Sequence, residues 1–536
     1  MKNDSIKFRI PSFAFSKINE KQFGYILVLF LTSISILIFL YFLDNGLGLA
    51  YNDARSHLNI GRRVVEGLKP GFAQIGSVWL PLPHILMIPT IWNDYFWHTG
   101  LAGAIQSMVS FVIIGILLNR LLKDFGVGKV GRLLGIYVFI SNLNILYLQS
   151  TAMTELLLLS TMTLGSYFFI RWVKFDELKY LLLSAFFIML ASLTRYDGWF
   201  LLFITFLFSA FITWKKSNKT KTEGIVILFC SLAGVGIAGW LLWNYLIFGD
   251  PLFFAFGPYS AHAQQLQLQS AGELPTKKNI ILSTVVYLYA LFYNSNFYLT
   301  LLSVVGATIF YLNKNIDKFL KLAVITLISP LFFNIIALFL GHSVLFIQGI
   351  SGSTWFNVRY GVMLMPTIAF FIGYLYQIAK PYRILILTTV LVVSLVAIIN
   401  FDAVTIDDAR VGSSQKNVTE VSGWLKEHAK KDYGFIMISA ASHDAIIFSS
   451  TLSMKRFIHE GTGDYWLEAG RHPSHLARWL IMRTNDTNDS TFKLVNNSGE
   501  LDRYDKIASY PFADIYQLKE EFTKKLVSHP IESYNK

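Results

Sequence analysis

The chain has 536 residues, of which 54% are hydrophobic, 15% aromatic and only 15% charged. So many apolar residues exclude an ordinary soluble enzyme, because runs of about twenty fit the roughly 30 Å hydrocarbon core of a bilayer. The formal charge of +12 would suit nucleic acid, but most basic residues lie in short loops between apolar runs. There they set topology and meet membrane lipids, so no nucleic-acid partner is expected. Cys230 is the only cysteine, which excludes an internal disulfide and a thiolate metal cluster.

In chain order, Lys2, Lys7, Arg9, Lys17 and Lys21 precede the first apolar run. The run is long and no small-residue cleavage site follows it, so it reads as an uncleaved first span. Apolar spans are expected at 24–43, 98–120, 130–147, 153–173, 179–194, 197–214, 224–248, 296–312, 319–340, 356–379 and 382–400, about eleven in all. The run 280–294 reads as a span, a re-entrant segment or a surface helix, and stays out of the count. With the N-terminus in the cytoplasm, the loops 119–132, 171–179, 215–222, 313–318 and 380–383 fall inside. All five are rich in Lys or Arg, as inside loops should be.

The first external loop carries Tyr51-Asn52-Asp53-Ala54-Arg55-Ser56-His57-Leu58. Ala54, Leu58, Gly61, Val65 and Leu68 recur at helical spacing, with Arg55, Asn59, Arg62, Arg63 and Glu66 opposite. The pattern predicts a helix lying flat in the membrane interface. On spacing alone Asp53 reads first as a helix cap. The segment 77–92 is apolar but broken by Pro81, Pro83 and Pro89, and reads as a second surface element.

From residue 401 the composition turns polar. The expected architecture is a mainly α-helical transmembrane bundle over 1–400, followed over 401–536 by a small extracytoplasmic α/β or α+β domain. In that tail, Val418–Lys430 reads as a helix and Phe435–Ser439 as a buried strand. Its His443-Asp444, His459-Glu460 and His472…His475 read as ordinary polar side chains in contact with water.

Ionisable residues at span ends are costly and therefore informative. Asp53 with His57, Glu155 after Thr154, Arg195-Tyr196-Asp197 and Arg359-Tyr360 come from four distant parts of the chain. The topology puts all four at one membrane face. Each has a plainer reading as well: Glu155 as a cap, Arg195 and Arg359 as snorkelling side chains. His57 reads as a packed polar residue rather than a metal ligand, since no His or Cys partner sits at ligand spacing.

These stretches resemble the integral-membrane glycosyltransferases of superfamily C. The residues that carry the resemblance are Tyr51-x-Asp53, Trp79-Leu-Pro-Leu-Pro-His84, Met153-Thr-Glu155, Leu193-Thr-Arg195-Tyr-Asp-Gly198, Phe248-Gly-Asp-Pro-Leu252 and Phe356-Asn-Val-Arg359-Tyr360 with Pro366. The branch it resembles is that of protein mannosyltransferases and aminoarabinose transferases, glycosyltransferase family 39-like. The resemblance implies a sugar carried on a polyprenyl phosphate and Asp53 as catalytic base. Here Asp53 is followed by Ala54, where protein mannosyltransferases often show an adjacent acidic pair. The Trp-Trp-Asp signature of oligosaccharyltransferases is absent, and Asp464-Tyr-Trp466 is only an echo of it.

The residue types suit that chemistry on their own terms. A phosphate leaving group needs positive stabilisers, and Arg195 and Arg359 offer bidentate donors. The acceptor hydroxyl, on a protein, lipid or glycan, must lose its proton as it attacks, and Asp53 can take it. Glu155, Asp197 and His57 would orient these groups or bind sugar hydroxyls. Tyr196, Tyr360 and Trp79 would stack on sugar or isoprenoid. No metal site and no cofactor is required, although clustered carboxylates leave room for a divalent cation. The alternative is a transporter or flippase of lipid-linked sugars, which would tend to show internal repeats and midplane polar residues.

Overall fold

The computed structural model describes residues 19–257, 260–270, 272–412, 415–430, 434–486 and 489–527. Among them, eight helices are long and apolar enough to cross a membrane, or nine if one bent pair counts as a span. The protein is a multi-pass membrane protein. The eight are Glu20–Asp44, Leu101–Asp124, Glu155–Phe175, Asp197–Lys216, Lys219–Phe248, Lys318–Leu340, Val358–Ile378 and Lys380–Arg410.

Eleven spans are therefore not reached, and local breaks explain the difference. The run 130–147 divides into Lys129–Ile140 and Leu143–Leu148, where the Asn142 side chain starts the second helix by accepting from the Ile145 N–H. Leu178–Ser192 is apolar but short. The doubtful run 280–294 forms Ile280–Ser295, which meets Phe297–Leu312 at a bend of 106°. Asn296 makes that bend with a positive φ of 68°, and its side chain caps the helix that follows.

The inner helices are tightly packed and the outer ones leave large apolar side chains exposed. Glu155–Phe175 and Val358–Ile378 are 83% and 89% buried over their most apolar stretch, against 28% for the first span. The functional segments therefore begin on the two most enclosed helices, where side-chain positions are set by close packing.

The helix expected in the first external loop, and named for it, runs from Asn52 to Val65. It packs on the short helix Leu82–Ile91, which carries the Trp79–His84 segment at its start. The last span, Lys380–Arg410, breaks after Arg383–Ile399 and resumes as a helix, Val404–Gly412, which reaches the first loop: Tyr51 Oη donates to the Thr405 carbonyl at 2.8 Å.

The tail then forms a mixed five-stranded sheet: β1 (Phe435–Ile438), β2 (Phe457–Ile458), β3 (Ala477–Met482), β4 (Tyr504–Ser509) and β5 (Asp514–Leu518). Their order is β2-β1-β3-β5-β4, with β1 parallel to β2 and β3, and β5 antiparallel to β3 and β4. β1 is buried along its whole length, as its unbroken apolar run Phe-Ile-Met-Ile requires of a central parallel strand. The helix expected over 418–430 is observed as Gln415–Trp424, continued by a π-helical turn at Leu425–Ala429.

The tail is no detached module. His443, Asp444 and His459, expected on the surface, are 2%, 7% and 5% exposed. Asp444 is buried because the helix Ala440–Ser449 docks on the first external helix, where it accepts from Asn59 and Arg63, and His443 is held inside the tail by Asp489 at 2.8 Å. His472 and His475 are exposed, as expected.

Candidate active site

Arg359 is the centre of the site. Asn357, in the left-handed region at φ 55°, ends the preceding loop, and Val358–Leu364 follows as a 3-10 turn leading into Met365–Ile378. The Val358 carbonyl accepts from Asn294 at 2.7 Å, which ties this turn to the helix Ile280–Ser295. Gly361 permits the contact, since a Cβ there would lie 2.2 Å from the Ala290 carbonyl oxygen.

The guanidinium is almost fully buried and faces three carboxylates. Nη2 donates to Asp53 Oδ2 at 2.6 Å and Nε to Glu155 Oε1 at 2.9 Å. Nη1 stands 3.9 Å from Asp408 Oδ2. Its faces lie against two phenol rings, Tyr51 at 4.9 Å and Tyr360 at 5.4 Å.

Arg195 approaches the same cluster from the turn between Leu178–Ser192 and Asp197–Lys216. It reaches Glu155 Oε1 at 3.3 Å and Asp197 Oδ2 at 3.6 Å, and packs on the Tyr360 ring at 4.9 Å. Tyr360 thus lies against both guanidiniums. Gly198 makes the turn tight enough, since a Cβ there would stand 2.3 Å from the Ala191 backbone.

Asp53 does not cap its helix, which begins without any side-chain cap bond. Its carboxylate goes to Arg359 and is 43% exposed, the most open group of the cluster. Glu155 starts its helix without capping it and is fully buried between the two arginines. Snorkelling is ruled out for Arg359, which is 6% exposed and held by carboxylates. Buried charge of this kind persists only when paired and hydrogen-bonded.

His57, one turn beyond Asp53, packs on Trp79 with ring centres 4.3 Å apart. Its Nδ1 shares a 2.9 Å hydrogen bond with His84 Nε2. Burial, then the charges of Arg195 and Arg359, push His57 down to about 3, and burial holds His84 well below the usual imidazole range. Both rings are therefore neutral at physiological pH. Tyr196 turns away from the charges: its hydroxyl donates to the Val78 carbonyl at 3.3 Å and its ring stacks on Phe254.

Of the residues singled out from sequence, Asp53, Glu155, Arg195, Asp197, Arg359 and Tyr360 come together, with His57 and Trp79 beside them. Two members went unnoticed as site residues. Tyr51 Oη donates to Asp408 Oδ2 at 2.9 Å, and Asp408 is 1% exposed. The signal for Asp408 was the acidic pair Asp407-Asp408 just past the last span expected from sequence, 382–400. It lay beyond the expected membrane boundary and so read as part of the tail.

Among the described residues, no group of three or more His, Cys, Asp and Glu side chains is arranged to hold a metal ion. Where a cation would sit between the carboxylates stands Arg359. A cavity of about 460 Å³ lies farther along the first external helix, lined by Arg62, Glu66, Trp92, Asp94 and Lys455. None of the expected site residues lines it.

No family model matches the chain, and no curated protein matches it in sequence. Solved structures do. ArnT from Cupriavidus metallidurans, in a crystal structure bound to undecaprenyl phosphate, aligns over 92% of this chain and 98% of its own, at 10% identity and a TM-score of 0.55. The chain shares the overall fold of that structure. The apo oligosaccharyltransferase of Archaeoglobus fulgidus aligns over 94% of this chain and 75% of its own, at 10% identity and a TM-score of 0.51.

Proposed function

We propose that this chain is a glycosyltransferase, which moves a sugar from a polyprenyl-phosphate donor to a hydroxyl on an extracytoplasmic acceptor. The observation that carries the reading is the meeting of Asp53, Glu155, Arg195, Asp197 and Arg359 in one cluster. The fold adds weight, since its neighbour ArnT was crystallised with undecaprenyl phosphate. Basic inner loops support a cytoplasmic N-terminus, with the site and the tail on the outer side.

The reaction is a single inverting displacement. The acceptor oxygen attacks the anomeric carbon, and the bond from that carbon to the phosphate oxygen breaks. The electron pair leaves on the polyprenyl phosphate, where Arg195 and Arg359 stabilise the added charge. Asp53 takes the acceptor's proton as the new bond forms. Glu155, lying between the two arginines, sets their spacing. Tyr360 and Trp79 offer flat apolar faces to sugar or isoprenoid. The membrane part, to about residue 400, carries most of the chemistry; the tail contributes Asp408 and covers the first external helix.

The experiment is transfer of a radiolabelled sugar from polyprenyl phosphate by the purified full chain, with and without added acceptor lipid, glycan or peptide. Acceptor-dependent loss of label from the lipid is the expected result. Movement of intact lipid-linked sugar across vesicles, with no transfer, would favour a flippase instead.

A further inference from the structure

We propose that Arg359 changes partners when the donor binds: the lipid phosphate replaces Asp53 on Nη2, and this exchange frees Asp53 to act as base. The inference rests on the donor reading given above.

The three carboxylates around Arg359 are not equivalent. Glu155 is fully buried and also serves Arg195. Asp408 is 1% exposed and also accepts the Tyr51 hydroxyl. Both are tied from two sides. Asp53 is 43% exposed and, among the described residues, has Arg359 as its one hydrogen-bond partner. It is the carboxylate free to leave, and the open side of the site is the side it would leave toward.

Charge favours the exchange. The cluster holds four carboxylates, Asp53, Glu155, Asp197 and Asp408, against two guanidiniums. A phosphate added to that set meets net repulsion unless it displaces a carboxylate from an arginine. Nη2 holds one strong acceptor at 2.6 Å, so Asp53 and the phosphate compete for the same donor. Arg359 does not follow Asp53 outward, because Glu155 and Asp408 anchor its other nitrogens and Tyr51 and Tyr360 pack on its faces.

The consequence is an ordered site. With no donor present, the Asp53 oxygen is engaged by a guanidinium and does not activate water or acceptor. With the donor phosphate seated, the same oxygen is released beside the anomeric carbon.

The test measures binding of sugar-free polyprenyl phosphate to the purified full chain in lipid nanodiscs. Asp53→Asn and Asp53→Ala both remove the competing charge, so each should bind the lipid phosphate about tenfold more tightly than wild type. Arg359→Gln should bind it more weakly than wild type. Equal or weaker binding by both Asp53 variants, with clear wild-type binding, overturns the exchange and leaves the donor reading standing. No wild-type binding at all overturns both.

Discussion

Arg63 of the first external helix and Asp444 of the tail form an ion pair at 2.8 Å, with 12% and 8% of their side chains exposed. The same Asp444 oxygen accepts from Asn59 at 2.9 Å, and the Asp444 carbonyl accepts from Asn59 at 2.7 Å. Two turns of the helix that carries Asp53 are thereby clamped by a domain nearly four hundred residues away. Asp444→Ala leaves a buried guanidinium unpaired, at a cost of about 3 kcal/mol. The expected result is faster proteolysis of the tail in membranes, with the bundle intact. An unchanged digestion rate would show that the clamp contributes nothing.

Asp53→Asn keeps shape and membrane insertion but removes the proton acceptor. Turnover should fall by about 100- to 10,000-fold, the usual contribution of a general base. Single-turnover transfer from the lipid donor is the measurement, and full activity in this variant would falsify the base assignment.

Arg195 is the more accessible arginine, with 24% of its side chain exposed. Arg195→Ala should raise the KM for donor by about tenfold or more, since a charge-assisted hydrogen bond to phosphate is lost. The KM for acceptor should stay close to its starting value. A donor dependence identical to wild type would return Arg195 to a purely structural role.

Stability should fall in mild acid. His57 and His459 are both pushed down to about 3, in each case first by burial and then by nearby arginines. An ordinary imidazole titrates near 6.5, so the unfolded chain binds more protons than the folded one between those values. Their stabilising contribution is complete above pH 6.5 and is lost as pH drops toward 3, by about 1.4 kcal/mol per pH unit for each group. His459 Nδ1 accepts from the Gly461 N–H at 3.1 Å, a bond that protonation would break. Thermal unfolding followed from pH 7.5 to pH 4.5 should show a declining Tm, and His459→Gln should flatten the slope.

Gly361→Ala should loosen the turn that presents Arg359. The added Cβ would collide with the Ala290 carbonyl oxygen at 2.2 Å, and overpacking of this kind costs about 1–3 kcal/mol. A lower Tm together with reduced transfer is expected. Gly24→Ala, with nothing within 4 Å of the added carbon, is the control.

Hydropathy and charge are local properties, and what depends on them was legible in the chain. Long apolar runs marked most of the spans, and basic loops allowed a sidedness to be assigned. Asp53, Glu155, Arg195 and Arg359 stood out because ionised groups at span ends are expensive wherever they occur. Which group each of them faces depends instead on distance after folding. Arg359 and Asp53 are 306 residues apart in sequence and 2.6 Å apart in space.

Only the tertiary structure decided that Arg359 is shared among carboxylates, that Asp408 belongs to the site and that His443 and His459 are buried. One expected span, 130–147, was divided because Asn142 caps a helix inside an apolar run, where hydropathy alone sees continuity. The physical reason is desolvation: a buried charge needs a counter-charge within hydrogen-bonding reach, and the folded backbone, not the order of residues, determines which one is there.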